Sequence, residues 1–383
     1  MKTFLGIGLG PIQTGIFLLG AAKGDFDKIV VADVDEKIVS ALRKDNHEIT
    51  INVAGANRIW NEKISNVEIF NPVVPKDLEA LIEIAAEADE IATALPGVKF
   101  FQHVAPWLKK GFEKAPEHRR FIYTAENHNH AAELLEEAVG QKFPNTYYLN
   151  TVIGKMSGVV PAVECEQRKL LRLSPSSDRG HLVEEFNKIL ISSCPGIEER
   201  KIVGLHVKSN LLPFEEAKLY GHNAVHFMLG IKAQQKGIKF MSALRKEPKI
   251  LEAGLYAFTA ECGEALIRKW KNINDPLFTP EGFKAYAEDL IERMTNPFLN
   301  DQTDRICRDI ERKLGWNDRV IGTIRLAYSQ GIIPASFAEI ARIASTIVFG
   351  NDLTACRSSL TDLWRKENAT EAEIETVLKL IFT

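Results

Sequence analysis

Cysteine is scarce and scattered in this 383-residue chain: there are five thiols, Cys165, Cys194, Cys262, Cys307 and Cys356, and no C-x-x-C pair among them. An odd, widely spaced set builds neither a disulfide framework nor a cysteine-rich zinc site, and it reads as the reduced thiols of a cytoplasmic protein. Basic charge is not in excess either, since 48 Lys and Arg stand against 51 Asp and Glu and leave a formal charge of −3. That balance supplies no attraction for a nucleic acid or an anionic membrane, so the expected partner is a small molecule. Long uninterrupted apolar runs are also missing. The stretch Phe4 to Ala22 is broken by five glycines and a proline, and no small-residue cleavage site follows, so it reads neither as a membrane span nor as an export signal. What the chain does contain is 45% hydrophobic residues over a length that suits two domains, enough to fill two cores.

Through about residue 150, short β-rich runs alternate with helical segments, the pattern of βαβ units on a parallel sheet. The runs are Thr3–Ile7, Lys28–Ala32, Glu48–Val53, Val67–Ile69, Glu90–Leu95, Phe121–Thr124 and Tyr147–Ile153; amphipathic segments lie at Lys76–Ala86, Phe100–Lys110 and Asn129–Val139. A doubly wound Rossmann-type α/β domain over residues 1–208 is expected. Next come a loop-like Ser174–Gly180 and two strand candidates, Lys188–Ser192 and Lys201–Val207. From Phe214 nearly every segment has helical period, with breaks at Asn272–Pro276, Asn296–Asn300 and Gly331–Pro334, so residues 209–383 are expected to form a mainly helical substrate and catalytic domain.

Gly6, Gly8, Gly10 and Gly15 occur in L-G-I-G-L-G-P-I-Q-T-G directly after the first strand, with Pro11 placed to open a helix. Such a turn lets backbone N–H groups approach a pyrophosphate at a helix N-terminus, which makes Gly8, Gly10, Pro11, Ile12 and Gln13 the expected cofactor contacts. Gln13 stands where the fingerprint has Gly or Ala, so strand and helix should pack less closely there. Asp33 closes the second strand 23 residues after Gly10, where a carboxylate accepts the ribose hydroxyls and repels a 2′-phosphate. NAD is therefore expected over NADP.

The segment Phe214–Gly230 carries Glu215, Lys218, His222, Asn223 and His226. On a helix advancing about 100° per residue, Glu215, Lys218, Asn223 and His226 fall within roughly 140° of arc, a face too polar for core. A lysine of lowered pKa can take the proton of a secondary alcohol while hydride leaves carbon, an amide can hold the alkoxide, an imidazole can orient it, and Glu215 can pass the proton to water. Two plainer readings stay open: Lys218 and Glu215 as a solvated surface pair, and His222 and His226 with Glu215 as a metal site, although no clear third ligand cluster is seen.

K-x-x-x-x-N-x-x-H at Lys218, Asn223 and His226 resembles the signature of the polyol-specific long-chain dehydrogenases, the mannitol dehydrogenase family. Further blocks resemble that family in the same order: G-L-G-P-I-Q-T-G, A-D-V-D, T-A-L-P-G-V, A-E-N at Ala125–Asn127, N-T-V-I-G-K at Asn150–Lys155, N-P-F-L-N-D at Asn296–Asp301 and R-I-C-R-D-I-E-R-K-L-G-W-N-D-R at Arg305–Arg319. The resemblance implies a metal-independent enzyme with Lys218 as general base, Asn150 and Asn223 stabilising the alkoxide and His226 positioning the substrate. It implies a sugar alcohol or its phosphate as substrate, with mannitol 1-phosphate and fructose 6-phosphate the pair favoured by the short chain, and a monomer or weak homo-oligomer. Keto-sugar acids or free hexitols are the alternatives within enzymes, and a dinucleotide-binding redox sensor the alternative outside them.

Three positions depart from the family pattern: Gln13, Gly154 where an aspartate is usual, and His222 in place of an apolar residue. For an anionic substrate end the expected contacts are His222 together with Arg305, Arg308 and Arg312, which share a face at i, i+3 and i+7 of one helix, and Lys313 beside them. Asn127, at a strand end, is an expected cofactor contact, while His128 and His130 beside it read more simply as helix-cap or surface residues.

Overall fold

The computed structural model describes Met1–Thr383 and divides into two units, Met1–Leu211 and Leu212–Thr383. The first holds twelve strands: β1 (Thr3–Ile7), β2 (Lys28–Ala32), β3 (Ile49–Ala54), β4 (Ile59–Ile64), β5 (Val67–Phe70), β6 (Glu90–Thr93), β7 (Arg120–Thr124), β8 (Thr146–Val152), β9 (Ser157–Pro161), β10 (Arg179–Glu184), β11 (Ile189–Ser192) and β12 (Leu205–Lys208). Eight of them form one sheet in the order β12-β11-β8-β7-β6-β1-β2-β5, parallel throughout except where β11 meets β8. All five residues of β1 are buried because both faces of the sheet are covered, which is why parallel strands read as unbroken apolar runs. Alternate residues feed opposite cores: Phe4 and Val31 pack with Ile16 and Phe17 on one face, whereas Leu5, Val30 and Ala32 pack with Leu81, Phe101 and Leu108 on the other.

The expectation fails for Glu48–Val53, which is not part of the doubly wound sheet. As β3 it belongs to a separate sheet in the order β4-β3-β10-β9. Part of the loop-like Ser174–Gly180 also becomes strand, because Arg179 and Gly180 start β10 and pair with Pro161 and Val160. The strand expected at Lys201–Val207 begins only at Leu205: the buried Glu90 carboxylate takes the N–H groups of Lys201 and Ile202, and Gly204 turns the chain at φ +93°.

Helix and strand do approach closely after the glycine turn, despite Gln13. Its side chain is wholly buried and lies over Gly6, where an added Cβ would sit 1.9 Å from Nε2. The missing side chain is thus on the strand, not on the helix. Gln13 also opens a π-turn, Gln13–Leu18, whose Gly15 lies against Val183 of the second sheet.

The second unit is helical. A continuous run Leu212–Gln235 contains a π-turn at Ala217–Asn223, and a second run, Pro248–Lys269, contains another at Ala257–Gly263. These two π-turns pack on each other where Gly221 meets the Phe258 ring, so closely that a Cβ added to Gly221 would lie 2.5 Å from a ring carbon. Helices Pro280–Met294, Arg319–Ser329, Ala335–Phe349, Leu353–Arg365 and Glu371–Phe382 are the longer ones that follow, and the rings of buried Trp316 and Trp364 lie 5.4 Å apart. Glu261, from the second π-turn, accepts the N–H groups of Ser336 and Phe337 and so caps the positive end of helix Ala335–Phe349.

Candidate active site

β1 is the strand at which the order of the large sheet reverses, and crevices at the carboxyl ends of such strands are where open α/β sheets bind ligands. Gly8, just past β1, sits at φ +84°, and a Cβ there would be 2.8 Å from the Ala94 carbonyl oxygen. That combination of left-handed backbone and close approach requires glycine. Gly10, by contrast, faces open space. Asp33, just after β2, accepts the Leu9 N–H at 2.6 Å and the Asp35 N–H at 2.8 Å, so its carboxylate braces the glycine turn. A cavity of about 640 Å³ lies here, lined by the turn from Gly8 to Ile12, Asp33, Leu95, Pro96, Trp107 and Arg179.

Three side chains in this region escape sequence reasoning. Buried Glu126 accepts the Leu95 N–H and the Thr93 hydroxyl, both at 2.8 Å, and ties together the ends of β6 and β7; burial raises its pKa against those bonds. His181, from the second sheet, meets the Thr14 hydroxyl at 2.9 Å, and burial, aided by Arg179, lowers its pKa to about 3. Arg179 binds Asp35 at 2.8 Å and Asp178 at 2.7 Å. Arg179 and His181 arrive through the long-range pairing of β10, which no local motif announces, whereas Glu126 lies inside the A-E-N block, whose spacing does not show what it touches. Asn127, His128 and His130 are exposed, and the two imidazoles lie 6.2 Å apart.

Asn150 lies on β8. Its side-chain carbonyl oxygen accepts the Ala132 N–H at 2.9 Å at the start of helix Ala131–Val139, and its amide donates to Glu133 at 2.8 Å. One amide hydrogen is not used by Glu133. The neighbouring Lys155 ammonium is buried on the Phe186 carbonyl at 2.7 Å.

In the second unit the π-turn changes the geometry expected of a regular helix. Lys218 and Asn223 are five residues apart and would stand about 140° apart on an α-helix, but a π-turn closes i to i+5 and draws them toward one face. Glu215 precedes the turn. Lys218 keeps some accessible surface yet is densely surrounded by protein; burial first, then the Arg319 guanidinium, lowers its pKa to about 8 against the pull of Glu215. An appreciable fraction is therefore free amine near neutrality.

One turn further on, the His222 and His226 rings are 6.1 Å apart. His222 is buried with Nδ1 unpartnered, and burial followed by the charge of His226 holds its pKa well below the usual value. It is neutral, and so offers a hydrogen bond rather than a charge. His226 Nε2 lies 3.0 Å from Asp301 Oδ2, close but off the line of a good hydrogen bond. Asp301 Oδ1 accepts Arg305 at 2.6 and 2.9 Å. Burial would raise the Asp301 pKa, but His226 and Arg305 outweigh it and lower it. No three His, Cys, Asp or Glu side chains gather as a metal-ligand set.

The single helix expected to align Arg305, Arg308 and Arg312 does not form. Thr303–Ile306 and Ile310–Lys313 are separate short helices, broken by Asp309 in the left-handed region at φ 54°. Arg305 is held by Asp301, Arg308 lies exposed at the break, and Arg312 reaches Asp318 at 2.8 Å. Lys313 is buried, donating to the Ile306 carbonyl at 2.7 Å and to that of Arg308, which fastens the break. Asp301 and Arg319 stand inside blocks legible in the sequence, but only the fold shows what they touch.

The C-terminal unit matches the mannitol dehydrogenase C-terminal domain over residues 210–381. Relatives include the mannitol-1-phosphate 5-dehydrogenases of Lactococcus lactis subsp. cremoris (strain MG1363), 29% identical over 87% of this chain and 83% of that one, and of Lacticaseibacillus casei (strain BL23), 26% identical over 91% and 88%. Among solved structures, Pseudomonas fluorescens mannitol 2-dehydrogenase, a ternary complex with NAD and D-mannitol, matches with a TM-score of 0.69 at 13% identity over 99% of this chain and 94% of that one. A D-sorbitol dehydrogenase in substrate-free form matches with 0.73 at 13% identity over 99% and 91%. These likenesses, with the fold, define an oxidoreductase of the polyol dehydrogenase class. Over most of its length the chain is similar to members of the mannitol dehydrogenase family, and its second unit matches that family's C-terminal domain. No helix is long and apolar enough to cross a membrane.

Proposed function

We propose that the chain interconverts a sugar alcohol phosphate and its ketose, with mannitol 1-phosphate and fructose 6-phosphate as the pair, using NAD. The observation that carries this reading is Lys218: an amine brought to a pKa of about 8 on a π-turn that turns Asn223 to its side. NAD fits the first unit because the Gly8 turn leaves no room for a side chain, Gly10 opens on free space, and Asp33 stands at the end of β2 beside the cavity. Gly8, Gly10, Pro11 and Ile12 would hold the pyrophosphate, Asp33 the ribose, and Asn127 a further part of the cofactor; Gln13, expected as a contact, is wholly buried over Gly6 and does not line the cavity. When bound, the nicotinamide supplies the hydride acceptor.

The chain's own residues do the rest. As free amine, Lys218 takes the hydroxyl proton of the substrate at Nζ. The Asn223 amide donates to the oxygen as it gains negative charge, which stabilises it most at the transition state. His226 orients the same oxygen, and Glu215 accepts the proton from Lys218 and passes it to water. Asn150 serves as the second amide through the hydrogen that Glu133 does not take. A panel of mannitol, mannitol 1-phosphate, altronate and mannonate, followed by NADH absorbance, tests the reading. Mannitol 1-phosphate should have the highest kcat/KM; preference for altronate or mannonate makes the chain a sugar-acid enzyme, and no turnover at all leaves a dinucleotide-binding sensor.

A further inference from the structure

Two guanidinium groups in the second unit share one carboxylate. Asp318, the N-cap of helix Arg319–Ser329, accepts Arg319 Nε at 2.9 Å on Oδ1 and Arg312 Nη1 at 2.8 Å on Oδ2. One negative charge cannot neutralise two positive ones. The structure gives both terminal nitrogens of Arg319 no protein partner, although its side chain is only 15% exposed.

The position of Arg319 is fixed from both sides. Its helix packs on the π-turn that bears Lys218: Gly322 lies against the Tyr220 ring, and the Thr323 hydroxyl donates to the Tyr220 carbonyl at 3.0 Å while also reaching the carbonyl of Arg319 itself. Arg319 thereby stands close enough to Lys218, His222 and Lys313 to repel a proton from each. Two guanidinium groups on the one Asp318 carboxylate leave a net positive charge there, with N–H donors that face no protein acceptor. Of the arginines near the break, Arg305 is committed to Asp301 and Arg308 is anchored by nothing, whereas Arg312 and Arg319 are oriented by Asp318 with donors to spare.

We propose that Arg319, with Arg312 beside it on Asp318, seats the anionic end of the substrate, a phosphate monoester. This rests on the reading of the chain as a polyol phosphate dehydrogenase and names the residues that make the phosphate the recognised group. A guanidinium fork donates two parallel N–H groups to phosphate oxygens, which a lysine cannot reproduce.

The test is calorimetric titration of the full chain, preloaded with NAD so that the glycine turn is already filled, with inorganic phosphate and then with gluconate as a carboxylate probe. Phosphate should bind the wild type; Arg319→Gln should weaken it about tenfold or more, Arg312→Gln less, and Arg319→Lys should recover only part. Gluconate should bind at least about tenfold more weakly than phosphate. Equal phosphate affinity in the wild type and Arg319→Gln, or no phosphate binding in the wild type, overturns the proposal. Tighter binding of gluconate overturns the phosphate assignment. If Arg319→Gln does not fold, Arg319→Lys carries the test, because losing the fork at constant charge should still weaken phosphate several-fold, and unchanged affinity overturns the proposal. The reaction stands or falls separately: absence of turnover on the substrate panel, with phosphate binding still dependent on Arg319, removes the dehydrogenase reading and keeps the anion seat.

Discussion

The His226 imidazole and the Asp301 carboxylate stand 3.0 Å apart, Nε2 to Oδ2, on a carboxylate whose other oxygen is held by Arg305. A carboxylate this near Nε2 favours a proton on that nitrogen over Nδ1. Asp301→Asn preserves size and the fold but removes the charge that fixes the tautomer. It should lower kcat about tenfold or more while KM changes little, as steady-state kinetics on the preferred polyol will show.

Gly6 and Gln13 form a complementary pair across strand and helix. Gly6→Ala puts a Cβ into a buried amide that has nowhere to go and should destabilise the protein by about 1–3 kcal/mol. Gln13→Ala empties that space, so the double variant should be more stable than the sum of the single effects. Denaturant unfolding of the four proteins measures the coupling, and strict additivity removes the compensation.

Asp33 braces the glycine turn and faces the cavity that Arg179 also lines. Removing its carboxylate with Asp33→Ser takes away the charge that would repel a 2′-phosphate. NAD should bind about tenfold more weakly and NADP relatively better, read as the ratio of the two dissociation constants by fluorescence titration.

Gly221 touches the Phe258 ring, and both belong to π-turns. Phe258 is wholly buried and rigid, so Gly221→Ala should push the two turns apart, lowering the unfolding midpoint and kcat together. Circular dichroism and NADH absorbance check the two effects on one preparation.

What the sequence made legible was whatever is written locally. β1, β2 and the glycine turn were visible because a buried parallel strand is a continuous apolar run and a tight turn needs glycine. The second sheet was not, since β10 pairs with β3 from about 130 residues earlier and no short-range pattern records such a pairing. The π-turn around Lys218 inserts no unusual residue, so a regular 3.6-residue period put Lys218 and Asn223 at the two edges of one broad face that the turn narrows. The helix expected across Arg305 to Arg312 had the right spacing of charges. It fails at Asp309, whose left-handed backbone is stabilised by Lys313 reaching back to two carbonyls, a contact that spacing cannot reveal.

The central claim is that Lys218 is the base, and the pH dependence of kcat/KM for polyol oxidation tests it most directly. Because the free amine is the active form and its pKa is lowered to about 8, the rate should rise about tenfold per pH unit below 8 and level off above it, while ketose reduction, which needs the ammonium form, should be level below 8 and fall about tenfold per unit above it. Lys218→Ala should lose at least about a hundredfold in kcat and the limb near pH 8 with it, while NAD still binds. Near wild-type turnover in that variant, or the same limb persisting in it, contradicts the account.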